Sequence, residues 1–309
     1  EVKFSFNPHI LPNFRGMMST IYCDLSKNVK SEIITLSTLD KKLRNMPDQT
    51  EWRAVFTEFL ATALYVFICC GIVTSTGNVT FDELNSPRLV VIALTQGLAY
   101  TVLLYLTQIT TRYGVGYMNP AVTLAIGLTN ASHGRYQWGS EKNGKDISRV
   151  IFFLIAQFAG GLFGAALVVA TIPNAATGVT KIGAPQLNYG STVGSGFVFE
   201  VFGTFFLTWV ILTNTCRTRS VIAKNVSAPM AIGLAMCALQ IFAYPFTGAS
   251  FNPVRAFSPV VVAWNFEANL VIYMIAPVIG ALFGAIIYIL AFTNDPLRFG
   301  FDYNAPKSM

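Results

Sequence analysis

The chain has 309 residues, 53% of them apolar and only 12% charged, with a formal net charge of +6. Soluble domains carry roughly 25% charged residues, and one soluble core could not hide all the long apolar runs found here. The composition therefore excludes an ordinary soluble domain and points to a multi-pass membrane protein.

Residues 1–50 are polar and mixed, and are expected to form a cytoplasmic extension. They contain no apolar core of a cleavable signal peptide, so the first span is expected to act as the insertion signal. Val29, Ile33, Leu36, Leu39 and Leu43 recur near helical spacing and predict a short amphipathic helix. Long apolar runs follow at 52–76, 89–110, 148–171, 193–215, 226–245 and 267–292. Each is close to the roughly 20 residues that a helix needs to cross a hydrocarbon core.

Basic residues sort by side. Lys41 and Lys42 precede the first run and Arg53 lies at its start. Arg135, Lys142 and Arg149 fall in the second connection, Arg217, Arg219 and Lys224 in the fourth, and Arg298 and Lys307 in the tail. The opposite side keeps only Arg88 and Lys181, with Arg255 assigned to a pore. This positive-inside pattern predicts two cytoplasmic termini; the membrane expected is a plasma membrane or an internal vacuolar one. It accounts for the net charge without a nucleic-acid partner. The sequon at Asn78 is expected in the first outer loop, and the five cysteines show no ligand spacing. No metal or cofactor is expected.

The chain repeats itself. Thr57-Glu58-Phe59 is answered by Phe199-Glu200-Val201, and Gly97-Leu98-Ala99 by Gly233-Leu234-Ala235. Gly160-Gly161-Leu162-Phe163-Gly164 is answered by Gly280-Ala281-Leu282-Phe283-Gly284. With three spans in each half, the second half enters from the opposite side, an inverted repeat. The expected divisions are 51–172 for the first repeat, 173–192 for an outer connection, 193–292 for the second repeat and 293–309 for a cytoplasmic tail.

Between the second and third spans of each half lies an Asn-Pro-aliphatic tripeptide, Asn119-Pro120-Ala121 and Asn252-Pro253-Val254. Each opens an apolar stretch too short to cross a bilayer. Proline suits the first turn of a helix, where its missing donor would be unpaired anyway. The preceding asparagine caps that start and presents an amide N–H to a lumen. Two half-helix N-termini make the centre of such a pore electropositive and hostile to cations. Irregular backbone before each motif, around Gly114–Met118 and Thr247–Ser250, is tolerated at membrane depth because it lines a wet cavity.

On these motifs the chain resembles the aquaporin (major intrinsic protein) family over roughly 52–292. Tyr117-Met118-Asn119-Pro120-Ala121-Val122-Thr123 matches the first family signature. Thr247-Gly248-Ala249-Ser250-Phe251-Asn252-Pro253-Val254-Arg255-Ala256-Phe257-Ser258-Pro259 matches the second. The resemblance implies an all-α membrane protein of six transmembrane helices and two half-helices, assembled as a homotetramer in a lipid bilayer with one pore per subunit. It implies a selectivity filter of Arg255, Gln240, Gln96 and Ala249. It also implies that Glu58 and Glu200, buried acids, accept hydrogen bonds from the loops carrying the motifs; a proton-relay role is the competing reading.

The filter departs from the family. Water channels usually present an aromatic and a histidine where this chain has Gln96 and Gln240, and glycerol channels an aromatic and a glycine. Ala256 in place of the aspartate of glycerol channels leans towards water. Val254 replaces the usual alanine. In the fourth connection Thr218 and Ser220 lie among arginines, where phosphate would find partners and the segment could occlude the cytoplasmic mouth. The expected function is a passive channel for water, excluding protons and ions, the alternative being glycerol or other small neutral solutes. A coupled transporter would need a titratable group in the motifs. An enzyme would need a His/Asp/Glu cluster or a Cys–His pair on the spans, and His9 and His133 both lie outside them.

Overall fold

The helices of this chain are written α1 (Gln49–Thr80), α2 (Ser86–Thr110), α3 (Pro120–Thr129), α4 (Lys145–Thr171), α5 (Val193–Thr215), α6 (Ala228–Thr247), α7 (Pro253–Val262) and α8 (Leu270–Phe292). The computed structural model describes residues 4–5, 22–23, 49–80, 84–110, 116–129, 145–175, 181–188, 190–215 and 227–292. Six of the helices are long and apolar enough to cross a membrane. The other two, α3 and α7, have 10 residues each, which at a helical rise spans only about half of a hydrocarbon core.

By its internal packing the chain forms two units, Glu1–Trp52 and Arg53–Met309. In the first, strands β1 (Phe4–Ser5) and β2 (Tyr22–Cys23) pair antiparallel, Phe4 opposite Cys23. The amphipathic helix expected over 29–43 lies outside the described residues. The second unit holds the spans.

Helix ends follow local chemistry. The Asn85 side chain accepts from the Arg88 N–H at 2.9 Å and caps α2, whose first turn contains Pro87. Arg88, expected on an outer loop, is instead buried: its guanidinium donates to the Val73 carbonyl at 3.2 Å and to Thr76 Oγ1 at 3.3 Å. It thereby ties the start of α2 to the end of α1. Helix α1 continues to Thr80, so the Asn78 sequon sits in its last turn and not in a loop. Helix α6 ends at Gly248 in a left-handed conformation (φ 70°), its N–H bonded to the Tyr244 carbonyl.

Small residues set the helix crossings. A Cβ added at Gly160 or Gly164 would lie 2.2 Å from the carbonyl oxygens of Phe59 and Ala63 on α1. The second repeat does the same, with Gly280 against the Val201 carbonyl at 2.1 Å and Gly284 against that of Phe205 at 3.0 Å. Helices α2 and α6 meet face to face, Gly97 against the Gly233 carbonyl and Gly233 against the Gly97 carbonyl. Without hydrophobic attraction between helices in lipid, such close approach supplies the dispersion contact that holds them together.

The half-helices are exchanged between repeats. Helix α3 packs on α8, and α7 packs on α4. Each repeat is therefore incomplete without the other. Gly160→Ala and Gly280→Ala are expected to cost about 1–3 kcal/mol each by overpacking, lowering the melting temperature of the detergent-solubilised protein. Gly71→Ala, whose added carbon would find nothing nearer than 3.9 Å, is expected not to lower it.

Candidate functional site

Each half-helix begins in the same way. Asn119 Oδ1 accepts from the Ala121 N–H at 3.0 Å, and Asn252 Oδ1 from the Val254 N–H at 3.1 Å. Both are helix caps with proline in the first turn. Capping fixes which end of each amide is oxygen, so the NH2 faces the other way. Asn119 Nδ2 donates to the Phe251 carbonyl at 2.8 Å, and Asn252 Nδ2 to the Met118 carbonyl at 2.7 Å. The two loops are thus crossed by a reciprocal pair of bonds, and each NH2 keeps a second hydrogen.

The acceptors are the residues just before the asparagines, and both are strained. Met118 and Phe251 each have φ of 50°, a left-handed conformation that non-glycine residues rarely adopt. The matched strain turns each carbonyl towards the opposite loop.

Two buried carboxylates hold this backbone in place. Glu58 accepts from the N–H groups of Gly116 (2.7 Å), Tyr117 (2.9 Å) and Met118 (3.1 Å), and from Gln157 Nε2 at 2.9 Å. Glu200 accepts from Ser250 N–H (3.0 Å), Phe251 N–H (2.7 Å) and Thr247 Oγ1 (2.8 Å). Backbone that enters a membrane without helical bonds must find its partners in side chains, and these two acids supply them. Gln157 also donates to Thr123 Oγ1 at 2.7 Å, joining α4 to α3.

The outer-filter candidates are all buried, with Gln96 and Gln240 at 0% exposure and Arg255 at 1%. Gln240 Nε2 donates to the Ala249 carbonyl at 2.7 Å. That bond orients the amide, because a carbonyl only accepts, and leaves Gln240 Oε1 without a protein partner. Neither polar atom of Gln96 has a partner, and none of the three nitrogens of Arg255 has one. A buried ion with no hydrogen-bond acceptor is expensive. Val254 is also buried, with a γ-methyl turned to Gly161 of α4.

Tyr100 and Gln157 escaped sequence reasoning. Tyr100 donates to the Tyr117 carbonyl at 3.0 Å and Tyr273 to the Thr247 carbonyl at 2.8 Å, so two carbonyls of the re-entrant loops already carry a protein donor. Gln157, far from either motif in the chain, carried no sequence signal; the Met118 carbonyl lies in the irregular stretch expected at Gly114–Met118, and Phe251 lies one residue beyond the one expected at Thr247–Ser250. Thr218 and Ser220 fall outside the described residues. An apolar groove of about 550 Å³ lies between α5 and α6, lined by Val198, Phe202, Phe206 and Phe242 among others. Its walls offer nothing to a polar solute.

Two short helices that enter from opposite repeats and meet at capped, cross-bonded N-termini define a membrane channel of the re-entrant half-helix class. The chain belongs to the major intrinsic protein family, whose model matches residues 45–288. It is 31% identical to aquaporin-4 of Mus musculus over 248 residues, covering 80% of this chain and 69% of that one. It is 31% identical to aquaporin-5 of Ovis aries over 237 residues, covering 76% and 79%. The aquaglyceroporin of Plasmodium falciparum superposes with a TM-score of 0.61 at 18% identity, over 77% of this chain and 95% of that one. The protein is therefore an integral multi-pass membrane protein of a channel family.

Replacing Glu58 by Ala strands three buried backbone N–H groups at about 1–3 kcal/mol each. Glu58→Ala is expected to abolish recovery of folded protein by size-exclusion chromatography. Gln157→Leu removes a donor and leaves the three N–H bonds to Glu58 standing, so it is expected to lower the melting temperature without preventing folding.

Proposed function

We propose that the chain is a passive channel for water that excludes protons and ions, one pore per subunit of a homotetramer. The observation that carries this reading is the reciprocal Asn119–Phe251 and Asn252–Met118 bonding, which leaves one N–H of each amide free beside the crossing of the two loops. A water there accepts from both asparagines. With its lone pairs engaged, it cannot accept a proton from its neighbours in the file. The positive ends of α3 and α7 converge on the same point and oppose a hydronium or a metal cation.

Arg255 supplies the second barrier. Its unpaired guanidinium donates to passing solute and repels cations. In this reading the acids at Glu58 and Glu200 are scaffolds and take no part in transport, because their oxygens are occupied by loop donors. The second reading, a glycerol channel, draws on the named activity of the Plasmodium falciparum neighbour; at 18% identity that likeness carries the fold and not the solute.

We propose further that the termini are cytoplasmic and that 217–224, with Thr218 and Ser220, can close the cytoplasmic mouth. Stopped-flow swelling of proteoliposomes tests the primary reading: osmotic permeability should exceed that of protein-free vesicles by about tenfold or more, with no accompanying proton flux. Glycerol flux matching that of a dedicated glycerol channel would sink it. Arg255→Val should admit protons or cations, read as dissipation of a pH gradient. Ala249→Cys should introduce block by mercurials that the wild-type Ala249 cannot give. Deletion of 217–224 should raise permeability per folded tetramer; an unchanged value removes the gate.

A further inference from the structure

Gln96, Gln240 and Arg255 come from three helices but reach one level. Arg88 ties the start of α2 to the end of α1, so the two helices run antiparallel. The rings of Tyr65 and Tyr100 pair at 5.2 Å across them. One turn from that pair towards the α1–α2 connection brings Cys69 level with Gln96. The Arg255 guanidinium lies within electrostatic reach of Cys70, Cys69, Tyr244 and Tyr65. Gln240 stands one turn before Tyr244 on α6 and is bonded to the Ala249 carbonyl, in the loop that leads to Arg255.

The orphaned atoms at this level are of two kinds. Arg255 presents N–H donors, while Gln96 Oε1 and Gln240 Oε1 are acceptors with no protein donor. Gln96 Nε2 adds one more free donor. Acceptors on two helices and a cation on a third are thus left without protein partners at this level. Water satisfies such a ring, and so does a planar solute with a carbonyl at one end and N–H groups along both flanks.

We propose that Gln96 and Gln240 make this filter selective for small neutral amides of the urea type over polyols, an inference that rests on the channel reading above. The amide carbonyl accepts from Arg255, and its N–H edges donate to Gln96 Oε1 and Gln240 Oε1. Glycerol turns a C–H edge to some part of the wall and leaves a glutamine oxygen dehydrated and unpaired. A site built around hydrogen-bonding groups discriminates strongly against a solute that cannot satisfy them.

The test uses proteoliposomes of the full chain, with water, urea and glycerol permeabilities measured on one preparation. Urea is expected to cross well above the protein-free rate and faster than glycerol. Gln240→Leu and Gln96→Leu are each expected to lower the urea-to-water ratio about tenfold, the effect of one lost hydrogen bond in the barrier. Gln96 makes no protein hydrogen bond, so its variant removes none from the fold and stands if Gln240→Leu does not assemble. Water flux without urea flux overturns the inference alone, as does glycerol flux equal to that of urea. An unchanged ratio in Gln96→Leu also overturns it. Absence of both water and urea flux overturns the channel reading and this inference together.

Discussion

Each asparagine that starts a half-helix donates to the carbonyl just ahead of the other asparagine, and the rest of the structure is arranged to make those two bonds possible. The bonds join residues 132 and 134 positions apart in the chain. Neither loop has regular secondary structure there, so each depends on the other for its partners. Positive φ at Met118 and Phe251 stores strain at the crossing. It persists because the cap below, the carboxylate beside and the opposite amide together leave no other arrangement.

Seen from that crossing, the buried acids and the glycines have one purpose. Glu58 and Glu200 are in a place where an ion is costly, and the cost is offset by backbone donors that would otherwise be equally costly. The glycines of α4 and α8 bring α1 and α5 close enough for the acids on those helices to reach the loops. Val254 shows the same economy of space, since its extra methyls rest where Gly161 has no side chain. The outer level differs in kind. There Gln96, Arg255 and the Oε1 of Gln240 are left without a protein partner, which a dry core forbids.

Much of this was legible in the residues. Apolar runs of the right length gave six spans, with boundaries that moved by only a few residues; the run expected at 226–245 became Ala228–Thr247. Asn-Pro opening a short apolar stretch identified the half-helices because capping and proline at the first turn are local effects. Arg88 was misplaced for an equally physical reason. A charge count assigns side from sequence, but the carbonyl of Val73 and the hydroxyl of Thr76 were available only once two helix ends were adjacent. The Asn78 sequon failed likewise, since helix continuation past the apolar run has no hydropathy signal.

The sequence by itself determined the class of fold, the inverted repeat and the two capped helix starts, all set by periodicity and by neighbours within a few positions. Only the tertiary structure decided what the caps do with their other hydrogens, which carbonyls the tyrosines occupy and which polar atoms of Gln96, Gln240 and Arg255 stay free. Those outcomes depend on approach between segments 9 to 134 residues apart, and hydrogen-bond direction is a property of that approach. A glutamine in a chain is both donor and acceptor. Gln240 became an open acceptor only when the Ala249 carbonyl took its N–H.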